Sequence, residues 1–361
     1  MKMRLDEREW KDFKIEEIFN IFSGKRLEKR NMISGDRPFI GASDSNNGVT
    51  GFCGNSNESV DHNVLGINYN GSVCEAFYHS YECIFSDDVK RLHLKHHSDN
   101  KYVLLFMSTV VRKQKSKYQY AYKFNEQRMK RQSIMLPVAD NGEPDYQFME
   151  HYIHELMECK CKKYVQYAEK QVEELGNVNK WGGVTYLLNN CVWNSFYVVA
   201  VFSENERGKR LKKADHRPGN VPYVSSTGEN NGIDGFIEAS EGTRVFNNCI
   251  SIANSGSVGS AFYEPFSFVA SDHVTHLKHL GLNKWQYLFL ACVLKEQANN
   301  FNFNREINDA RLNKMQIMLP ITDMGEPDYT LMETVGKMIM SEKYRCYLSY
   351  MNLHLGVHKR V

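Results

Sequence analysis

The sequence predicts an α+β protein built as two repeats, each a β-rich domain that closes into one long helix. Three observations predict it. "IMLPVADNGEPDYQFME" begins at Ile134 and "IMLPITDMGEPDYTLME" at Ile317, so nearly the same run is written twice at an offset of 183 residues. Each half carries short β-prone runs that lead into Asn-Asn-Gly or Gly-Ser turns. From Tyr146 to Leu175 no proline or glycine interrupts a run whose apolar side chains keep helical spacing.

The repeat continues backwards through the chain. "GKRLEK" at Gly24 answers "GKRLKK" at Gly208, "NNGVTGF" at Asn46 answers "NNGIDGF" at Asn230, and "GSVCEAFY" at Gly71 answers "GSVGSAFY" at Gly256. "RPFIGAS" and "VPYVSST" read as strands entering an Asn-Asn-Gly turn. "NVLGINYNGSV" and "NCISIANSGSV" read as strands entering a Gly-Ser turn, and "KYVLLFMSTVV" and "KWQYLFLACVL" as one buried amphipathic helix each. "IMLP" is the last strand of each half. Asp145 and Asp328 then stand where they cap the long helices that follow. The first of these, from 147 to 175, would be about 43 Å long at 1.5 Å per residue. The second, from Thr330 to near Leu353, contains Gly336, and Gly182-Gly183 marks the joint where the second half begins. The expected boundaries are a first domain at 1–146, a helix and linker at 147–180, a second domain at 181–329 and a last helix at 330–361.

With 361 residues the chain has room for two domains with separate cores. Charged residues make up 24% and apolar residues 42%, in the range of soluble globular proteins. The formal charge of +2, from 45 basic and 43 acidic side chains, leaves no overall field to hold a polyanion, so a nucleic-acid surface would come from local clustering. Nine scattered cysteines without a paired framework read as free thiols. No apolar run approaches the roughly 20 residues of a membrane helix, and the charged start "MKMRLDEREWKDF" lacks the apolar core of an export signal. A cytoplasmic protein without membrane partners is expected.

Catalytic chemistry is offered weakly. Pro144-Asp145 with Glu158 and Lys160 spells the pattern of a magnesium-dependent PD-ExK nuclease, whose carboxylates hold a metal and whose lysine activates water. The Glu-Cys-Lys lies in mid-helix, and Pro327-Asp328 has no matching ExK, so a capping role is preferred. His93, His96 and His97 meet no histidines at the aligned positions of the other half, and Cys159 and Cys161 point to different helix faces, so neither group is expected to hold a metal. Phosphate-loop and dinucleotide fingerprints are missing, and so is the Asn/Asp-Pro-Pro-aromatic motif of amino-methyltransferases.

Charge and aromatics do cluster. Lys25, Arg26, Lys29 and Arg30 recur as Lys209, Arg210, Lys212 and Lys213, a repetition that favours phosphate contact. Arg112, Lys113, Lys115 and Lys117 alternate with Tyr118, Tyr120 and Tyr122, whereas the counterpart run is rich in asparagine, with Asn300, Asn302 and Arg305. The frame is duplicated and this polar loop is rewritten. Asparagine pairs bidentately with adenine and arginine or lysine with guanine, so two such loops would read two short sequences. The turn residues Asn46, Asn47, Asn230 and Asn231 join these as candidate DNA contacts, while free divergence of a surface loop stays open as an alternative.

Two β-rich halves with a Gly-Lys turn after the first strand, "RPFIGAS"/"VPYVSST" entering a turn, a terminal "IMLP" and a long helix after each make the chain resemble the specificity (S) subunits of type I restriction–modification systems. The extended "MLP…D.GEPDY..ME" is most similar to the S subunits of type IIB systems, whose partners are fused methyltransferase–nuclease chains. The resemblance covers essentially the full chain. It implies two target-recognition domains, two antiparallel spacer helices related by a pseudo-twofold axis, and a bipartite double-stranded DNA site. It implies no catalysis and no cofactor in this chain: S-adenosylmethionine and magnesium would sit on a methyltransferase or methyltransferase–nuclease partner. By matching position it carries over the basic turns at Lys25/Arg26 and Lys209/Arg210. A magnesium-dependent nuclease and a duplicated scaffold without a DNA role are the alternatives.

Overall fold

The computed structural model describes residues 3–118, 122–176, 182–240, 242–302 and 304–355. By contact the chain divides into two compact units, Met1–Tyr164 and Val165–Val361.

In the first unit β1 (Trp10–Lys14), the one-turn α1 (Ile15–Ile18) and β2 (Phe19–Ser23) are followed by seven strands: β3 (Arg37–Ile40), β4 (Val49–Cys53), β5 (Val60–Asp61), β6 (Val64–Asn68), β7 (Ala76–His79), β8 (Cys83–Phe85) and β9 (Val89–Leu94). Then come α2 (Lys101–Arg112), α3 (Glu126–Arg131), β10 (Ser133–Pro137) and α4 (Tyr146–Leu175), the last of which runs on into the second unit. One sheet has the order β2-β9-β6-β7 and a second the order β4-β3-β8-β5. The only parallel pair among these strands is β3 with β8, and it joins segments far apart in sequence.

The second unit opens with α5 (Gly182–Asn190) and repeats the plan: β11 (Trp193–Tyr197), α6 (Val198–Val201), β12 (Glu204–Arg207), β13 (Pro218–Val224), β14 (Ile233–Ile237), β15 (Val245–Phe246), β16 (Cys249–Ala253), β17 (Ala261–Glu264), β18 (Phe268–Ala270) and β19 (Val274–Lys278). It closes with α7 (Lys284–Glu296), α8 (Asp309–Leu312), β20 (Gln316–Pro320) and α9 (Tyr329–Leu355). Its sheets β12-β19-β16-β17 and β14-β13-β18-β15 match those of the first unit strand for strand.

Each core lies between the first of these sheets and its helix. In the first unit Leu65, Ile67 and Leu92 face Val103, Leu104 and Met107; in the second Ile250, Ile252 and Leu277 face Tyr287, Leu290 and Leu294. Burying a side chain of this size stabilises by about 1.5–3 kcal/mol, and two such clusters are enough for two separate cores. The helices start where asparagine caps them. Asn100 Oδ1 accepts the Tyr102 amide at 2.8 Å, and Asn283 Oδ1 accepts the Trp285 amide at 2.9 Å.

The long helices are capped as the sequence predicts. Phe148 N donates to Asp145 Oδ1 and Leu331 N to Asp328 Oδ1, both at 2.8 Å. "IMLP" is a strand in both halves, but its partner is the first strand of the same half, with Trp10 opposite Pro137 and Trp193 opposite Pro320. Gly336 is required in α9, because a Cβ there would stand 2.9 Å from the Trp285 carbonyl oxygen of α7. Gly182-Gly183, read from sequence as a joint, opens α5, whose Val184, Leu187 and Leu188 pack on Val335 and Met338. Tertiary burial makes this short uncharged segment a helix.

Candidate nucleic-acid interface

The glycine of each basic turn is fixed by backbone approach. A Cβ on Gly24 would lie 1.9 Å from the Ser86 carbonyl oxygen, and one on Gly208 would lie 2.1 Å from that of Ala270. The chain leaves β2 or β12 pressed against the neighbouring sheet, which sends the next side chains outward. Lys25, Arg26, Lys209, Arg210, Lys212 and Lys213 are all exposed.

Their electrostatics differ between the halves. Lys25 Nζ is 2.5 Å from Glu58, while Arg26 and Arg30 lie 3.6 and 2.7 Å from Glu28. At the aligned positions the second half has Thr243 for Glu58 and Lys212 for Glu28. Among the described residues Lys209, Arg210 and Lys212 are not ion-paired. Lys209 and Arg210 instead line a cleft of ≈ 170 Å³ together with Thr243 and Arg244. Arg244 is held at its mouth, donating to the Arg207 carbonyl at 2.9 Å and lying 3.6 Å from Glu206.

The Asn-Asn-Gly turns have a backbone reason. Asn46, Asn47 and Gly48 have φ of 49, 56 and 75°, and Asn230, Asn231 and Gly232 have φ of 50, 54 and 75°. Asparagine is among the few residues besides glycine that enter this left-handed region readily. Asn47 is further tied by its Nδ2, which donates to the Tyr78 carbonyl and the Tyr81 hydroxyl, both at 3.2 Å. Asn46, Asn230 and Asn231 are exposed.

The rewritten loop also divides. Arg112 Nε lies 2.8 Å from Glu75, and Lys115 Nζ pairs with the same carboxylate, which is buried. Lys117 donates to Gln114 at 2.8 Å. Tyr118 donates to Gln132 at 2.7 Å, and its ring packs on Phe124. Lys113 is exposed, and Tyr120 lies outside the described residues. In the second half Asn300, Asn302 and Arg305 are exposed; Asn302 Oδ1 accepts the Asn304 amide at 3.0 Å, and Arg305 sits over Phe301.

Two features escaped sequence reasoning: a buried pair of positions, and the carboxylate partners of the half-buried His93. His79 ends β7 and Glu264 ends β17 at aligned positions, both fully buried. Burial lowers His79 to about 4 and raises Glu264 to about 7. Gly66 faces the larger His79, with a Cβ position 3.0 Å from its Nε2, whereas Ser251 donates to Glu264 at 2.9 Å. The aligned strands "AFYH" and "AFYE" carried the signal. The second feature is His93, which stands between Asp99 at 2.6 Å and Asp61 at 3.0 Å, with Arg91 also 2.9 Å from Asp61. Hydrogen bonds to Asp61 and Asp99 raise His93 to about 9. At this place the second half stacks Phe246 on His276, ring centroids 4.1 Å apart.

The geometry leaves the nuclease pattern nothing to work with. Asp145 caps α4 and lies 3.7 Å from Arg8, while Glu158 pairs with Lys162. Thirteen helical residues separate the two carboxylates by about 20 Å, too far to share an ion. Among the described residues no cluster of three potential metal ligands occurs, and no helix is long and apolar enough to cross a membrane.

Comparison with known proteins places this pattern. The chain is 54% identical over 169 residues to the type II restriction enzyme BgcI specificity subunit S.BcgI of Heyndrickxia coagulans; the match spans 47% of this chain and 49% of that protein. The chain thus aligns with about half the length of this curated relative. Solved structures similar to it include the type I restriction–modification S subunit from M. genitalium, with a TM-score of 0.47 and 15% identity over 99% of this chain and 97% of that one. Another is the HsdS subunit from Thermoanaerobacter tengcongensis, with a TM-score of 0.34 and 13% identity over 95% and 91%. Residues 7–166 and 193–345, one span in each half, match the type I restriction modification DNA specificity domain, and the chain belongs to that family.

Proposed function

We propose that this chain is the DNA-reading subunit of a restriction–modification complex and carries no catalysis of its own. Each half reads one short block of a bipartite double-stranded site, and a methyltransferase or fused methyltransferase–nuclease partner, holding S-adenosylmethionine and magnesium, acts on it in the cytoplasm. One observation carries the reading. The two halves share their strand pairing, glycine contacts and helix caps, yet differ in the polar loop that follows the core helix. A constant frame with a rewritten polar surface is what two readers of different sequences need.

Within this reading the candidate contacts take distinct roles. Lys209, Arg210 and Lys212 hold phosphates in the second half. Lys25, Arg26 and Arg30 contribute less, because each has a carboxylate at hand. Asn300, Asn302, Arg305, Lys113 and Lys117 face base edges, with Tyr118 as the packed base of its loop; Arg112 and Lys115 shape that loop from Glu75. Domains at 1–146 and 181–329 are joined by helices acting as spacers; α4, at 30 residues, is about 45 Å long. That suits half-sites near one turn of DNA apart, about 34–36 Å.

Selection from a random duplex pool, with and without a co-expressed methyltransferase subunit, tests the proposal. Enrichment of two short specified blocks around a fixed gap is expected. No enrichment with the partner present would leave a duplicated scaffold without a DNA role.

A further inference from the structure

One backbone carbonyl accepts from an arginine in both halves, but the arginine comes from a different place in each. The carbonyl is that of Ser23 in the first half and of Arg207 in the second, one residue before the glycine of each basic turn. In the first half Arg91 of β9 donates from Nη2 to Ser23 at 3.0 Å and from Nη1 to Asp61 at 2.9 Å. Its side chain is 10% exposed, so its charge is matched inside the fold.

In the second half the positions of Arg91 and Asp61 hold His276 and Phe246, which stack on each other. Burial holds the His276 pKa below its ordinary value, so no cation stands there at neutral pH. The guanidinium comes instead from Arg244, at the place of the buried Ser59, and donates from Nη1 to the Arg207 carbonyl at 2.9 Å. This arginine is 44% exposed, and its Nε–Nη2 edge has no hydrogen bond among the described residues. Glu206 lies 3.6 Å from its Nη1 and is itself 60% exposed, a pair that offsets little of the charge. Arg244 lines the cleft of ≈ 170 Å³ with Lys209, Arg210 and Thr243, beside Val269 and Ala270. Pockets for whole small molecules run from about 300 to 1,000 Å³, so this cleft admits a charged group rather than a nucleotide.

We propose that Arg244 clamps one backbone phosphate of the second DNA half-site through its Nε–Nη2 edge, a contact that the first half lacks. The proposal rests on the reading of the chain as a DNA-binding subunit and adds a residue outside the basic turn. A guanidinium edge meets two phosphate oxygens with parallel hydrogen bonds, and the bond to Arg207 holds its plane in place. Lys209 and Arg210 add charge around the same group. In the first half Ser59 replaces the arginine, and Glu58, at the place of Thr243, pairs with Lys25.

The test uses the full chain in complex with the proposed methyltransferase partner and a duplex carrying the split motif found by selection. Wild type, Arg244→Gln, Arg244→Lys and Thr243→Glu are compared at several salt concentrations. Arg244→Gln should lower the slope of log K against log salt by about 0.9, a loss of about three- to fourfold between 50 and 200 mM. Arg244→Lys keeps the charge without the fork, so it should keep the slope and regain only part of the affinity. Thr243→Glu brings the first half's carboxylate into the cleft without touching the bond to Arg207, and should match the loss of Arg244→Gln even if that variant folds poorly. Replacing phosphates one at a time with methylphosphonate should find one position whose neutralisation weakens the wild type and leaves Arg244→Gln unaffected. A purely structural role for Arg244 would instead make the two losses additive at every position and overturn the clamp. An unchanged slope with relaxed base choice at one position would overturn it in favour of a guanine reader. Unchanged DNA binding with weaker partner association would overturn it in favour of an acidic surface on the partner. If the wild-type complex selects no DNA motif, the DNA-reading proposal fails and takes the clamp with it; if it selects one and no variant alters binding, the clamp alone fails.

Discussion

Removing the two basic turns separately should expose an asymmetry between the halves. Among the described residues Lys209 and Arg210 face a cleft without a paired carboxylate, so Lys209→Ala with Arg210→Ala removes two net charges from the proposed DNA side. Each phosphate contact contributes about 0.9 to the slope of log K against log salt, so the pair carries about 1.8. Between 50 and 200 mM salt a slope change of that size is about a twelvefold difference in affinity. The equivalent double substitution at Lys25 and Arg26 removes cations that already stand beside Glu58 and Glu28. Its slope change should stay below about half of one contact. Fluorescence anisotropy of a labelled duplex, with the chain in complex with the proposed methyltransferase partner and titrated at several salt concentrations, reads both. Equal slope changes for the two double variants would show that the carboxylates do not silence the first turn, and the assignment of phosphate anchoring to the second half would be wrong.

Further consequences concern the frame. Asp145→Ala and Asp328→Ala each remove one capping bond of the same length, so each should cost about 1 kcal/mol in urea denaturation, with Asp145→Ala also losing its Arg8 neighbour at 3.7 Å, and a loss near zero for either would mean that its cap is idle. His93 is raised to about 9 by Asp61 and Asp99, so its contribution is fully present below its ordinary value of 6.5 and is lost as pH rises through 9. Unscreened, the rise is worth about 3 kcal/mol, and a ring with 24% of its surface exposed retains roughly half. For Asp61 burial acts upward, but the His93 hydrogen bond and the His62 amide outweigh it, and the lowered carboxyl gives up stability as pH falls below 3.8. Stability of the first unit should therefore decline between pH 7 and 9.5, and His93→Gln should abolish that decline.

Much of this architecture was legible because its signals are local. The Asn-Asn-Gly turns announce a left-handed backbone, and Asp145 and Asp328 stand three residues before the amides they cap. The rest depends on groups brought together from afar. Nothing near Lys25 reveals that Glu58 will neutralise it, since strand β5 has to fold back beside β8 first. Arg112 and Lys115 looked like free cations because Glu75 lies 37 and 40 residues away and is drawn into the core edge by β7. The uncharged "GGVTYLLNN" lacks the polar face that marks a surface helix, and becomes one only against Val335 and Met338.

The floor of the rewritten loop explains how the two halves can share a frame and still present different surfaces. In the first half Cys74 sits at φ 66° with its Sγ 3.4 Å from the Val111 carbonyl, and buried Glu75 gathers Arg112 and Lys115. In the second half the same two positions are Gly259 and Ser260. A Cβ on Gly259 would stand 2.6 Å from Ala298 Cα, so the Asn-rich loop lies directly on the strand turn and needs no carboxylate. Loop and floor therefore change together. Grafting residues 296–305 in place of 113–122, with Arg112→Ala, would leave Glu75 buried without its cations, a loss of about 3–5 kcal/mol. It would also press the new loop on Cys74. The same graft with Cys74→Gly and Glu75→Ser should regain most of that stability. Urea midpoints of the two chimaeras decide the matter. If the loop-only graft is as stable as the parent, the floor does not specify the loop, and the differing surfaces of the two halves need another cause.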